Sequence, residues 1–213
     1  MTAITADDFC TAAMIAGTER ERTIRYIMER RCRDGGFCFY RLNEPNAADT
    51  YFALDSLRLL RCMPRDPATA AYLHSLQRDD GGYASLYIGY YVIKSLEILT
   101  SPPRIRPDAW LSGIIPILHE RNRPIESTSC FERAYLFSDL CRALSIRLDE
   151  TLRTELVRAI FACRHPDGGF GDLRSTMIET FHALSILSFL GHPLPVDRVE
   201  RFFVECITRS SGT

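Results

Sequence analysis

Asp-Gly-Gly-aromatic is written three times in this chain: Asp34-Gly35-Gly36-Phe37, Asp80-Gly81-Gly82-Tyr83 and Asp167-Gly168-Gly169-Phe170. The first two copies start about 46 residues apart and the last two about 87, close to twice 43. A period in the 40s belongs to repeat architectures, in which one helix pair cannot bury its own apolar face and must stack on the next. The same period predicts a degenerate copy near Arg123-Pro124. Glycine pairs permit positive φ and close chain approach, and the aspartate before them can bond turn amides. The motif therefore reads as turn chemistry and not as a phosphate cradle.

Helical periodicity dominates and no segment alternates as a strand. Helices are expected over about 6–16, 19–32, 49–60, a stretch ending near Gln77, 87–96, 108–120, 130–146, a stretch from the cap Asp149 to Cys163, 179–190 and 196–207. Helices after the glycine turns are apolar on most sides, as an enclosed inner ring would be. Those before the turns carry arginines and acids on one face, as an outer ring would. The fold class is thus all-α, a barrel of about five inner and five outer helices. Its 213 residues are most economically one domain, small or incomplete as a barrel. An open arc would leave apolar flanks and favour a homodimer or a partner subunit, with Phe202 and Phe203 on the last helix as a contact surface.

Composition excludes several classes. A formal charge of −1 with no basic block points away from nucleic acid and anionic membranes. No run of about 18 uncharged apolar residues is present to cross a bilayer. Met1 to Asp8 lacks a basic region followed by an apolar one, so a cytoplasmic location is expected. The eight cysteines are scattered singly with no C-x-x-C pair, which suits reduced, packed thiols. Lys94 is the one lysine and sits mid-helix among apolar neighbours, which disfavours Schiff-base chemistry.

Outer helix, D-G-G-aromatic turn, then an inner helix with Asp/Glu and Tyr/Phe at its mouth: this resembles the prenyltransferase and squalene-cyclase repeat superfamily, whose members fold as α/α toroids. The resemblance covers about residues 30–190. The nearest local likeness is Gly168-Gly169-Phe170-Gly171-Asp172, then Glu179-Thr180-Phe181-His182, which is similar to the last repeat of protein prenyltransferase β subunits. That resemblance implies catalytic roles for Glu179 and His182, a binding role for Asp172, and zinc held in part by His182. Anchored on Arg123-Pro124, Cys130 is the cysteine ligand and Thr128 replaces the family's aspartate. Anchored on the helix, Glu132 aligns with Glu179 and Asp49, and Ala134 stands where the cysteine should be. Cys130 and His182 supply two ligands, with Glu132 or Glu126 to complete the three that catalytic zinc needs.

The cyclase branch carries D-x-D-D-T at an inner-helix mouth. Here Asn46-Ala47-Ala48-Asp49-Thr50 keeps only its last two residues, which leaves Asp49 as the candidate acid or as a helix-start residue. Tyr51, Phe52, Tyr90, Tyr91, Tyr135 and Phe181 are placed to line an apolar cavity or to fill a core. Arg121, Arg123 and Arg174 fall on loops where a diphosphate could be clamped. The expected function is a prenyltransferase-like protein acting on an isoprenoid, such as a prenyl diphosphate, or a similar apolar molecule. The alternatives are a non-catalytic repeat module binding a lipid or a protein, and a terpenoid-cyclase-like enzyme with a degenerate acid motif.

Overall fold

Four of the helices begin and end with the same local chemistry, and this sets the repeat. The computed structural model describes residues 18–40, 42–64, 67–118 and 129–210. The helix expected over 6–16 and the degenerate loop at 121–128 lie outside the described residues. Those residues form α1 Glu19–Met28, α2 Ala47–Leu59, α3 Pro67–Ser75, α4 Leu86–Ile98, α5 Asp108–Leu118, α6 Cys130–Ala143, α7 Glu150–Phe161, α8 Met177–Phe189 and α9 Val196–Ser210. No strand occurs among the described residues; the two β-type pairs, Arg31 with Phe37 and Arg164 with Phe170, are isolated.

The inner helices α2, α4, α6 and α8 start at Asn46, Ser85, Ser129 and Thr176. Each of these side chains accepts the backbone N–H three residues on, satisfying a donor that the first turn leaves open. Each inner helix also ends alike. Arg61, Thr100, Ser145 and Gly191 follow with positive φ, and the next residue's N–H returns to the carbonyls of Leu57, Leu96, Cys141 and Leu187 at 2.8–2.9 Å. This closure needs a left-handed residue, normally glycine, and only the last repeat supplies one. The expected boundaries hold to within a few residues. α1 stops short of Cys32 because Arg30 O and the Cys32 N–H pair across the turn with Cys38 N–H and Gly36 O.

The glycine turns explain themselves by contact. Gly35 and Gly168 have φ of 97° and 96°, where a side chain is strained. A Cβ on Gly35 would lie 2.6 Å from Ala68 O, and one on Gly168 would lie 2.8 Å from the Arg198 carbonyl carbon. Ala68 and Arg198 sit in the first turns of α3 and α9, so the turn is where the next outer helix lands. The aspartates act as expected in the last two copies: Gly82 N–H donates to Asp80 Oδ1 at 2.8 Å and Gly169 N–H to Asp167 Oδ1 at 3.0 Å.

The aromatic that closes each motif is buried: Phe37, Tyr83 and Phe170. Each burial is worth about 1.5–3 kcal/mol. Phe37 and Phe170 also donate their N–H groups to Thr50 and Thr180 Oγ1, at 3.0 and 2.9 Å. Both threonines are 0% exposed and occupy the fourth helical position of α2 and α8. In the second repeat that position is Gly89, because the Trp110 ring packs there against Tyr83.

The chain divides into two compact units, Met1–Leu111 and Ser112–Thr213. In the first, α2 lies along α4, with α1 against α2 and α3 against α4. In the second, α6 lies along α8, and the stripe Leu152, Leu156, Ile160 of α7 closes a core with Phe170, Ile186, Leu187 and Val199. Cys141 is packed in as a small hydrophobe, its thiol pushed up to about 12 by burial.

Two substitutions check this account. Thr180→Val should cost about 1–3 kcal/mol in urea unfolding by stranding the Phe170 N–H, while Thr180→Ser, which keeps the acceptor and loses one buried methyl, should cost only about 0.8 kcal/mol. Thr100→Gly, at a φ of 53°, should stabilise by about 1 kcal/mol in the same measurement.

Candidate functional site

The inner-helix mouths are in register. Asp49, Ile88, Glu132 and Glu179 each stand third in their helix, where the N–H meets the cap. The two outermost carboxylates are engaged further. Asp49 Oδ2 accepts from Phe39 N–H at 2.7 Å and from Asn46 Nδ2 at 2.8 Å. Glu179 Oε2 accepts from Thr176 Oγ1 at 2.9 Å and lies over Gly171, where a Cβ would come within 2.9 Å of it. A Cβ on Gly171 would also collide with the Arg174 backbone carbonyl, which gives a physical reason for the third glycine in Gly168-Gly169-Phe170-Gly171. These contacts fasten both side chains to the first turns of α2 and α8.

Three residues deeper, every inner helix carries a ring: Phe52, Tyr91, Tyr135 and His182. In the first unit Tyr91 is the hub. Its centroid lies 5.4 Å from Tyr51, 5.5 Å from Phe52, 4.6 Å from Tyr87 and 5.2 Å from Tyr90. Tyr90 itself is buried in the core, whereas Phe52 is exposed and Tyr51 and Tyr91 are half-buried. In the second unit His182 stacks on Tyr135 at 4.7 Å and 19°, with Phe181 5.7 Å from both. Offset and tilted rings at these separations attract one another and present apolar faces with polar tips.

His182 is 8% exposed, and its Nδ1 is buried with no hydrogen-bond partner among the described residues. Burial pushes its pKa below the ordinary value, against a weaker opposite pull from the Glu179 carboxylate. Burial also pushes the Cys130 thiol up, and the neighbouring Cys163, Asp172 and Glu179 add to that rise. So the fold does gather Cys130, Asp172, Glu179 and His182 at one end of the second unit. Among the described residues no three His, Cys, Asp or Glu side chains are grouped to hold a metal ion. Glu126 and Thr128 lie outside the described residues.

Two clefts open beside the rings. One of ≈ 330 Å³ in the first unit is lined by Tyr26, Arg30, Phe39, Asp49, Phe52 and Ser56, among others. Arg30 lies with its guanidinium 3.2 Å from the Tyr26 ring centre. The other, ≈ 680 Å³, lies between α6 and α8 and is lined by Tyr135, Ser138, Asp139, Arg142, Phe181, Leu184, Ser185, Ser188 and Phe189. That volume is within the range of small-molecule sites. Of the arginines considered for diphosphate, Arg174 is exposed, while Arg121 and Arg123 lie outside the described residues.

The comparisons agree with this frame. The family model described as the prenyltransferase α/α toroid domain matches residues 3–90 and 127–210. The chain belongs to that family. No curated protein matches it.

Sequence reasoning found the mouths and most of the rings. It missed Ser138, Asp139, Arg142, Ser185 and Ser188, whose only signal is helical spacing from Tyr135 and Phe181 on otherwise apolar faces. It also missed Arg30 and the equivalent hydrogen bonds by which Thr50 accepts from Phe37 N–H and Thr180 from Phe170 N–H.

The state of His182 can be read from stability. Because folding holds its pKa below 6.5, the unfolded chain takes up a proton that the folded chain refuses as pH falls through and below that value. Stability is therefore present above it and lost below it. Urea midpoints at about pH 7.5 and about pH 5 should fall further for the native chain than for His182→Phe, which keeps the ring and removes the titration.

Proposed function

We propose that this chain binds an isoprenoid or a similarly apolar molecule against the rings of its inner helices and acts on it as a prenyltransferase-like protein. The observation that carries this reading is the repeated ring at one helical register, Phe52 and Tyr91 in the first unit and Tyr135 and His182 in the second, with Phe52 lining the ≈ 330 Å³ cleft of its unit and Tyr135 the ≈ 680 Å³ cleft of the other. Aromatic faces suit an unsaturated hydrocarbon chain, because they bury area without asking for hydrogen bonds. Family membership supports the same reading. Transfer to a thiol is the form that the Gly-Gly-Phe-Gly-Asp segment and Glu179-Thr180-Phe181-His182 favour.

A second reading, a module that binds such a molecule without turning it over, draws on different observations. Asp49 is engaged by amide donors and Cys130 is pushed towards its neutral thiol. Terpenoid cyclization begun by Asp49 is the weakest of the three, since the other two aspartate positions of the acid motif hold Asn46 and Ala48 and the Asp49 carboxylate is taken up in the cap.

Equilibrium dialysis of the full chain with tritiated farnesyl compounds, followed by assay for diphosphate release with a cysteine peptide, separates these readings. Binding weakened about tenfold by Tyr135→Ala with diphosphate release supports the transferase. The same binding without release supports the module. Failure of every farnesyl compound to bind overturns both.

A further inference from the structure

The cleft between α6 and α8 is not uniformly apolar, and its polar half indicates what the ligand carries. Tyr135, Ser138 and Arg142 stand at i, i+3 and i+7 of α6, on one face. Phe181, Ser185 and Ser188 stand at i, i+4 and i+7 of α8, also on one face. Along the two helices Tyr135 and Phe181 come first. Serines follow about 5 Å further, and Arg142 and Ser188 about 10 Å further, at 1.5 Å of rise per residue, with the Phe189 ring next to Ser188. A ring-lined end therefore gives way, over the length of a short isoprenoid, to a stretch that carries hydroxyls.

Ser138 is the decisive residue. It lines the cleft and is 2% exposed, and its Oγ is buried with no hydrogen-bond partner among the described residues. A buried hydroxyl left unbonded is costly, so a ligand group that bonds it is favoured by more than an exposed hydrogen bond would supply. The charges around it then select the kind of group. Asp139 is 6% exposed and is ion-paired with Arg142, the one cation among the described residues lining the cleft. A diphosphate here would lie beside the Asp139 carboxylate, whose charge the Arg142 guanidinium already balances, so the described lining carries no net positive charge to hold it. An uncharged hydroxyl needs none.

We propose that this cleft takes an amphiphile whose apolar body lies on Tyr135 and Phe181 and whose uncharged hydroxyl end is held by Ser138, Ser185 and Ser188, that is, an oxygenated isoprenoid or terpenoid alcohol. The proposal rests on the ring-binding reading above in its form without turnover, because an alcohol carries no diphosphate to release, and adds the polar end of the ligand to it.

The test uses the full chain with tritiated farnesol, β-farnesene and farnesyl diphosphate, compared by equilibrium dialysis. Farnesol should bind about fivefold or more tighter than either of the others. Ser138→Ala should remove that advantage without lowering the melting temperature. Ser188→Ala, at an exposed position that the fold does not need, should reduce it too. If β-farnesene binds as tightly as farnesol and Tyr135→Ala weakens both, the hydroxyl site is wrong and the ring reading survives. If farnesyl diphosphate binds tighter than farnesol and is indifferent to Ser138→Ala, the hydroxyl site is also wrong. If none of the three binds, both readings fall together.

Discussion

The first glycine of an Asp-Gly-Gly turn touches the start of the next outer helix, and the aromatic two residues later fills the core beneath it. In the first and last copies that aromatic's N–H is also bonded to a threonine inside the following inner helix. One short segment thus ties an outer helix, the inner helix after it and the next outer helix together. The glycine is required by backbone approach, the aromatic by the volume it fills, and the threonine by a buried donor with no other acceptor. Where Trp110 of α5 takes over the packing, the threonine position becomes Gly89 and the arrangement is conserved in shape but not in bonding. The period of the sequence is the period of this junction.

The same junction constrains chemistry. Residues at inner-helix mouths are well placed to meet a ligand, and they are also the residues that must satisfy the open N–H groups of the first turn. Asp49 and Glu179 are drawn into that second task by Asn46 and Thr176. The groups left for recognition lie deeper: rings at the sixth helical position and serines about one turn beyond. His182 belongs to this ring level as much as to the mouth, since it stacks flat on Tyr135 in a buried setting that favours the neutral imidazole. Binding by aromatic faces is therefore better supported by the geometry than acid catalysis at the mouth.

Much of this was legible in the chain. The spacing of the glycine pairs placed the turns, and the expected register of Asp49, Ile88, Glu132 and Glu179 coincides with the third position of all four inner helices. Local signals suffice there because caps and turns are built from residues within a few positions of one another. The tyrosines and Phe181 were found for the same reason. What local signals lacked was a way to separate Tyr90, which is core, from Tyr91, one residue on, which is the hub of a partly exposed cluster. Successive residues on a helix point about 100° apart, so the answer depends on which neighbour lies across the gap.

By itself, then, the sequence determined the helical class, the repeat and the places where each inner helix begins, because glycine conformations, caps and apolar periodicity are properties of short segments. Only the tertiary structure decided that Cys130 is partly buried beside Cys163, Asp172 and Glu179, and that Ser138 lines one cleft with Ser185 and Ser188. Those outcomes depend on contacts between α6 and α8, about 45 residues apart in the chain, and on the burial such contacts produce. Charge state and hydrogen-bond satisfaction follow burial, and burial is a property of the packed unit rather than of any segment within it.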